Sequence, residues 1–335
     1  MPSFARESKR IVIAGASSLL GAELKSLLEE SKFAGWDFRL VDEEDAAGTL
    51  TEAGGEPAVI QPVEEGSFEH ARLVFFAGSA EFTRINVDSA TAAGARVMDL
   101  SGRLVSGGGS LAWFPKLDEL LARQFPANAS AYAIPSAAAT AAAALSLALA
   151  NCELQGLVIN CFQPVSEAGR AGIEELESQT GQLLSFQSVG QPVFDTQVAF
   201  NMLNHYGPEC AKKLEATRTR VRAETKACLG GKVKVPAIQV IHAPVFYGTT
   251  FSACAELDPE LRREKIEKAC TDAGFLLIQP GKAGPNNLSA AGEKVIQLAV
   301  PEPDPSQAGT WWLWGAADNI RLPAANAVKL VEMLA

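Results

Sequence analysis

A short apolar run, Arg10-Ile11-Val12-Ile13-Ala14, leads into Gly15-Ala16-Ser17-Ser18-Leu19-Leu20-Gly21, and leucines recur at positions 20, 24, 27 and 28. The β-branched run fits a buried strand, the glycines a tight turn, and the leucine spacing one face of a helix. Further apolar runs at Phe38–Val41, Leu73–Ala77 and Arg96–Leu100 alternate with helical stretches such as Arg84–Ala93. Strands that alternate with helices require crossover connections, so the spacing predicts a doubly wound, parallel α/β sheet of Rossmann type.

After Pro135 the pattern changes. An alanine-rich helix, Ala137–Ala150, is followed by strands at Leu157–Phe162 and Val233–Ile241 with longer polar connections between them. A chain of 335 residues is long for one core. We therefore expect residues 1–135 to form a nucleotide-binding domain, 136–317 an α+β domain for substrate or dimerisation, and 318–335 a last helix that completes the first domain.

With 47% hydrophobic and 20% charged residues the chain has material for two cores, and a net charge of −10 disfavours nucleic acid and anionic lipid. The start lacks the apolar stretch of a secretory signal, and Ala137–Ala150 is too short to span a bilayer. We expect a cytoplasmic protein with no membrane partner. Six cysteines without a Cys-x-x-Cys pair and three scattered histidines predict neither a zinc site nor a disulfide framework.

The turn from Gly15 to Gly21 has nearly the spacing that holds a dinucleotide pyrophosphate at a helix N-terminus, with Ser18 where a middle glycine would stand. Gly15, Ser17, Ser18, Leu19, Leu20 and Gly21 are the candidate cofactor-binding residues, the Ser18 side chain either crowding the phosphate or donating to it. Asp42 ends the second strand, 27 residues after Gly15, where a carboxylate accepts from a ribose 2′-hydroxyl and repels a 2′-phosphate. If a dinucleotide binds, NAD is expected over NADP. The competing reading of Asp42-Glu43-Glu44-Asp45 is a solvated acidic loop.

The stretch Gln163-Pro164-Val165-Ser166-Glu167-Ala168-Gly169-Arg170-Ala171-Gly172 resembles the active-site turn of the aspartate-semialdehyde dehydrogenase family. The resemblance, which includes that family's USG-1-like members, continues through His242-Ala243-Pro244-Val245-Phe246-Tyr247-Gly248-Thr249 and Asp318-Asn319-Ile320-Arg321 along nearly the whole chain. It implies a cysteine thiolate that attacks an aldehyde, hydride transfer to NADP and release of an acyl phosphate, with Gln163 holding substrate.

At the working positions this chain departs from the resemblance. Ala137 stands where the family has its nucleophilic cysteine, Thr249 where it has the acid/base histidine, and His242 where an arginine grips the substrate carboxylate. Val105 and Ala227 stand at phosphate-binding positions, with Arg103 and Lys226 nearby. Alanine offers no nucleophile and threonine does not shuttle protons near neutral pH. Ser136 reads as the N-cap of the alanine helix; Cys152 lies at its far end, about 20 Å away at 1.5 Å per residue. Cys161 faces the same side of its strand as Gln163.

The expectation is a member of this family without its usual catalysis, binding nucleotide or another small molecule, or serving in assembly as a homodimer or beside an active relative. The alternative is an active NAD(P)-dependent aldehyde oxidoreductase of amino-acid biosynthesis whose nucleophile has moved. Gln163 and His242 are the candidate substrate-binding residues, and no metal is expected.

Overall fold

The computed structural model describes residues 8–53, 55–106 and 110–334. Two compact units result: one takes in the chain to Pro115, Gln124–Pro135 and the chain from Pro323, the other Lys116–Arg123 and Ser136–Leu322.

In the first unit β1 (Arg10–Ala14) leads through the glycine turn into α1 (Leu19–Glu29), and β2 (Asp37–Asp42) follows. Next come β3 (Leu50–Ala53), β4 (Glu56–Val59), β5 (Gln61–Pro62), β6 (Ala71–Phe76), α2 (Ala80–Ala92), β7 (Arg96–Asp99) and β8 (Leu111–Ala112). Helix α3 (Leu117–Leu120) belongs to the second unit, and β9 (Ala131–Ala133) returns to the first. Seven strands form one sheet in the order β5-β2-β1-β6-β7-β9-β8, every pairing parallel.

Alternation along β1 explains the two-sided burial. Ile11 and Ile13 join Leu24 and Leu28 of α1 and Leu330 and Val331 near the chain end in one core. Val12 and Ala14 point the other way, into a core with Phe82 and Ala90 of α2. The doubly wound parallel sheet is as the alternation predicted.

The hairpin β3–β4 was not foreseen: its strands are only four residues long and mostly exposed, and Leu50, Ala58 and Val59 do not alternate regularly with the polar residues, so period-2 patterning is weak there. Helix α2 begins earlier than the apolar spacing indicated, because the Ser79 hydroxyl accepts from the Phe82 amide and caps it.

The second unit contains α4 (Ala137–Ala150), β10 (Gly156–Gln163), α5 (Arg170–Leu184), α6 (Leu214–Leu229), β11 (Ala237–His242), β12 (Thr249–Glu256) and α7 (Arg263–Asp272). It continues with β13 (Leu276–Ile278), β14 (Gln297–Ala299), β15 (Glu302–Pro303) and β16 (Thr310–Ala317), and α8 (Arg321–Leu334) closes the chain. Its mixed sheet runs β11-β10-β12-β16-β14-β13, with β15 paired to β16. Strand β11 starts at Ala237 rather than at Val233 as predicted; Pro236 has no N–H to give a ladder, and the residues before it stay unpaired.

Helix α4 is buried along nearly its whole circumference, which suits a helix of small side chains against the sheet on one side and α6 and α7 on others. Helix α8 begins at Arg321, three residues into the predicted 318–335 segment. The Asp318 carboxylate accepts from the amides of Ile320 and Arg321, and a proline in the first turn forfeits no intrahelical bond. Among the described residues no helix is long and apolar enough to cross a membrane.

Candidate functional site

In the first unit the candidate site is the turn between β1 and α1. Gly15 has φ of 90°, and a Cβ there would lie 2.2 Å from the Gly78 amide nitrogen. A Cβ on Gly21 would come within 2.3 Å of the Gly15 carbonyl oxygen. Both glycines are therefore demanded by backbone packing. Ser18 needs no glycine: it is the extended N-cap of α1, its hydroxyl accepting from the Gly21 amide at 2.9 Å and directed at the carbonyls of Gly15 and Ala77. The hydroxyl is engaged within the turn.

The amides of Leu19 and Leu20, by contrast, have no hydrogen-bond acceptor among the described residues. They belong to the first turn of α1, where the helix dipole favours an anion. A backbone that only glycine can follow, next to two amides in need of acceptors, fits a pyrophosphate.

Asp42 is buried, and its carboxylate accepts from the amides of Ser17 at 2.7 Å and Glu43 at 2.8 Å. It fixes the turn and the following segment at once, so the solvated-loop reading does not describe Asp42, although Glu44 and Asp45 start an exposed single 3-10 turn. Asp42, Glu43, Glu44, Glu64 and Glu81 line a cleft of about 510 Å³ whose apolar surface comes from Pro62, Val63, Phe82 and Ile85. Five carboxylates around an apolar floor suit a neutral ring and a neutral ribose and oppose an additional phosphate.

Asp99 is wholly buried and accepts from the Ser101 amide and hydroxyl and from the Leu104 amide. It orders the loop that carries Arg103 and Val105.

In the second unit Ser136 caps α4, accepting from the Ala139 amide as predicted. The same residue meets a carboxylate that local patterning did not single out. Glu224, fully buried on α6, accepts from the Ser136 hydroxyl at 2.5 Å and from its amide at 3.0 Å, while its other oxygen accepts from Arg220 Nε at 2.7 Å. The i,i+4 spacing of Arg220 and Glu224 was the one sequence signal for this ion pair; the reach to Ser136, 88 residues away, had none. Ala137 follows directly, a methyl group at 2% exposure.

Gln163 ends β10 in register with His242 of β11. Their link is Tyr206, whose hydroxyl bonds the Gln163 side chain and lies 3.2 Å from His242 Nδ1. The other ring nitrogen, Nε2, is 3.4 Å from the Val198 carbonyl. His242 has no exposed surface, its imidazole packs against Phe194 and Tyr206, and burial pulls its pKa down to about 4. It is thus a neutral imidazole held by the protein's own groups; as a group reaching for substrate it is misplaced. Tyr206, whose pKa burial raises, was missed because it lies 43 residues from Gln163 with no local pattern to mark it.

Thr249 opens β12, nearly buried, beside Gly248. Asn319 ties this turn to the Ser166 turn: its carboxamide oxygen accepts from the Gly248 amide at 2.9 Å, and its nitrogen donates to Ser166 Oγ at 3.1 Å and to Glu167 Oε1 at 3.2 Å. Desolvation raises the pKa of Glu167, and the Arg220 charge opposes that rise.

Five of the six free cysteines are buried, and Cys254 is partly so. Cys161 shares the buried face of β10 with Gln163, and burial pushes its thiol up to about 12. Cys152, past the end of α4, is buried and also raised. His205 is exposed and hydrogen-bonds its neighbour Asn204.

The chain matches the family model described as semialdehyde dehydrogenase, NAD binding domain, over residues 10–107, and that described as semialdehyde dehydrogenase, dimerisation domain, over residues 145–322. It is 30% identical to a USG-1 protein homolog of Azotobacter vinelandii, covering 97% of both chains. It is 25% identical to an aspartate-semialdehyde dehydrogenase of Rickettsia bellii, again over 97% of each. Among solved structures it resembles a probable aspartate-semialdehyde dehydrogenase from Pseudomonas aeruginosa, with a TM-score of 0.86, 28% identity and 98% coverage of each chain. Both halves of its architecture and both family models agree: the chain belongs to the semialdehyde dehydrogenase family, with an NAD-binding domain and a dimerisation domain.

Proposed function

We propose that this protein binds NAD in its first unit and acts as a dimeric, non-catalytic member of the family. The observation that carries this reading is Ala137 at the start of α4, directly after a Ser136 whose hydroxyl and amide both serve the buried Glu224 carboxylate. Thioester chemistry needs a thiolate there and a base nearby; a methyl group provides the first role with nothing, and Thr249 provides the second with nothing. Loss of one member of such a unit removes most of its acceleration, so the paired loss argues against residual turnover.

Support for NAD over NADP comes from the carboxylates around the cleft beside Asp42. Gln163, tied to Tyr206, serves the shape of the turn in this reading.

The test has two arms. With aspartate semialdehyde and phosphate, purified protein is expected to reduce neither NAD nor NADP; turnover that Cys161→Ala or Ser136→Ala abolishes overturns the non-catalytic reading in favour of a moved nucleophile. In thermal unfolding NAD should raise the Tm by mass action on the folded state, and NADP should not. Equal shifts remove the argument from Asp42.

A further inference from the structure

In a chain with 39 Asp and Glu against 29 Lys and Arg, positive charge collects in one stretch. Residues 212–234, which include α6, hold eight Lys and Arg against two Glu, and one of those two, Glu224, is buried and paired with Arg220. On the side of α6 that meets β11, half-buried Arg218 and exposed Arg222 stand at i,i+4 spacing, with exposed Lys226 one turn further along the helix.

Both guanidinium groups are fixed, and neutral acceptors fix them. Arg218 Nη1 donates to Gln239 Oε1 at 2.6 Å, and Arg222 Nη2 donates to the Ile238 carbonyl at 2.8 Å. The two acceptors belong to adjacent residues of β11, so both side chains are held against one short stretch of the sheet margin. Neither arginine forms an ion pair among the described residues, and Glu215, one turn before Arg218, reaches neither of them. Elsewhere Arg10, Arg84, Arg123 and Arg220 each meet a carboxylate.

A bond to an amide or carbonyl oxygen occupies one of the five N–H donors of a guanidinium and leaves its charge unbalanced. Two such charges one turn apart repel each other, and an anion between them relieves the repulsion. We propose that Arg218 and Arg222 form a binding site for a phosphate dianion, either the free ion or a monoester of a small molecule. Planar forks with free N–H edges grip phosphate oxygens in pairs, and a dianion balances both charges where a monocarboxylate balances one. Because both side chains are already held in place, less conformational freedom is lost on binding. The site is separate from the amides of Leu19 and Leu20, which belong to the first unit. It is also separate from Ala227, which lies about 140° around α6 from Arg222 at 100° per residue.

Isothermal titration of the full chain at low salt tests this, with inorganic phosphate, glucose 6-phosphate and neutral glucose as probes. Both phosphates are expected to bind and glucose is not; equal affinities assign the site to the free ion, and tighter binding of the ester assigns it to a phosphorylated small molecule. Arg218→Gln with Arg222→Gln should weaken binding by about 10-fold or more. Arg222→Lys keeps the charge without the fork and should weaken it less, while Arg262→Gln, at an exposed arginine outside this row, should change nothing. All variants should still unfold cooperatively on heating. Wild type that binds neither phosphate, binding that the double variant retains in full, or binding that vanishes when NAD is added and so belongs to the α1 turn, overturns the inference.

Discussion

The two serine-capped helices, α1 and α4, start in similar ways and differ in what their first turns do. At α1 the cap hydroxyl of Ser18 is directed at backbone carbonyls, and the amides of Leu19 and Leu20 have no acceptor among the described residues. At α4 the cap hydroxyl of Ser136 donates to a buried carboxylate, Glu224, which is itself paired with Arg220. An anion belongs near both helix starts; α4 receives one from its own unit, whereas the first turn of α1 has two donors to offer a ligand. Residues that shape a backbone are kept by packing whether or not chemistry continues, but a nucleophile has no packing duty to preserve it.

The largest effect expected from this comparison is on stability at Gly15. Gly15→Ala places a Cβ against Gly78 with the backbone at positive φ and should cost about 4 kcal/mol or more. Urea unfolding with little change would mean that the turn is plastic, and its glycine would have to be explained by ligand binding instead.

Next in size is a pH effect. His242 in the folded chain has its pKa pulled down to about 4 from an ordinary 6.5. Between those values the unfolded chain binds the proton and the folded chain does not, so stability is whole above about pH 6.5 and declines as pH falls toward 4, by about 3 kcal/mol in all. His242→Gln should flatten the Tm profile in that window; an unchanged slope would show that other groups carry it.

At the start of α4, Glu224→Gln keeps the shape but weakens the charge-assisted bonds to Ser136 and Arg220. A loss of about 2 kcal/mol is expected, against about 1 kcal/mol for the cap mutation Ser136→Ala. If Ser136→Ala is the costlier of the two, the carboxylate is not what holds this helix start.

Ala137→Cys should change least, by about 1 kcal/mol from packing one sulfur into a nearly closed position. It should restore no dehydrogenase activity, because Thr249 remains without a titratable proton. Activity in this single variant would erase the contrast drawn between α1 and α4.

Much of this was legible in the chain itself. The strand, glycine turn and periodic leucines of residues 10–28, followed by further apolar runs that alternate with helical stretches up to Leu100, pointed to a parallel sheet. The run Ala137–Ala150 gave the helix to the residue, with Pro135 before it and Ser136 as its cap. The residue types at Ala137 and Thr249, on which the proposed loss of catalysis rests, are read without coordinates.

Other assignments depended on neighbours that sequence order hides. Whether His242 reached for a ligand or lay inside was decided by Tyr206 and Val198, brought in from a loop 36 and 44 residues away. Whether Asp42 was part of a solvated loop was decided by the Ser17 amide. Which residues of β10, β12 and β16 share a face emerges only from register, because the strands are far apart in the chain and each shows merely an alternation. Local periodicity is written in adjacent residues and survives reading in one dimension. The partner of a buried polar group, and the face that several strands share, are set by long-range closure of the chain, and only the folded protein fixes them.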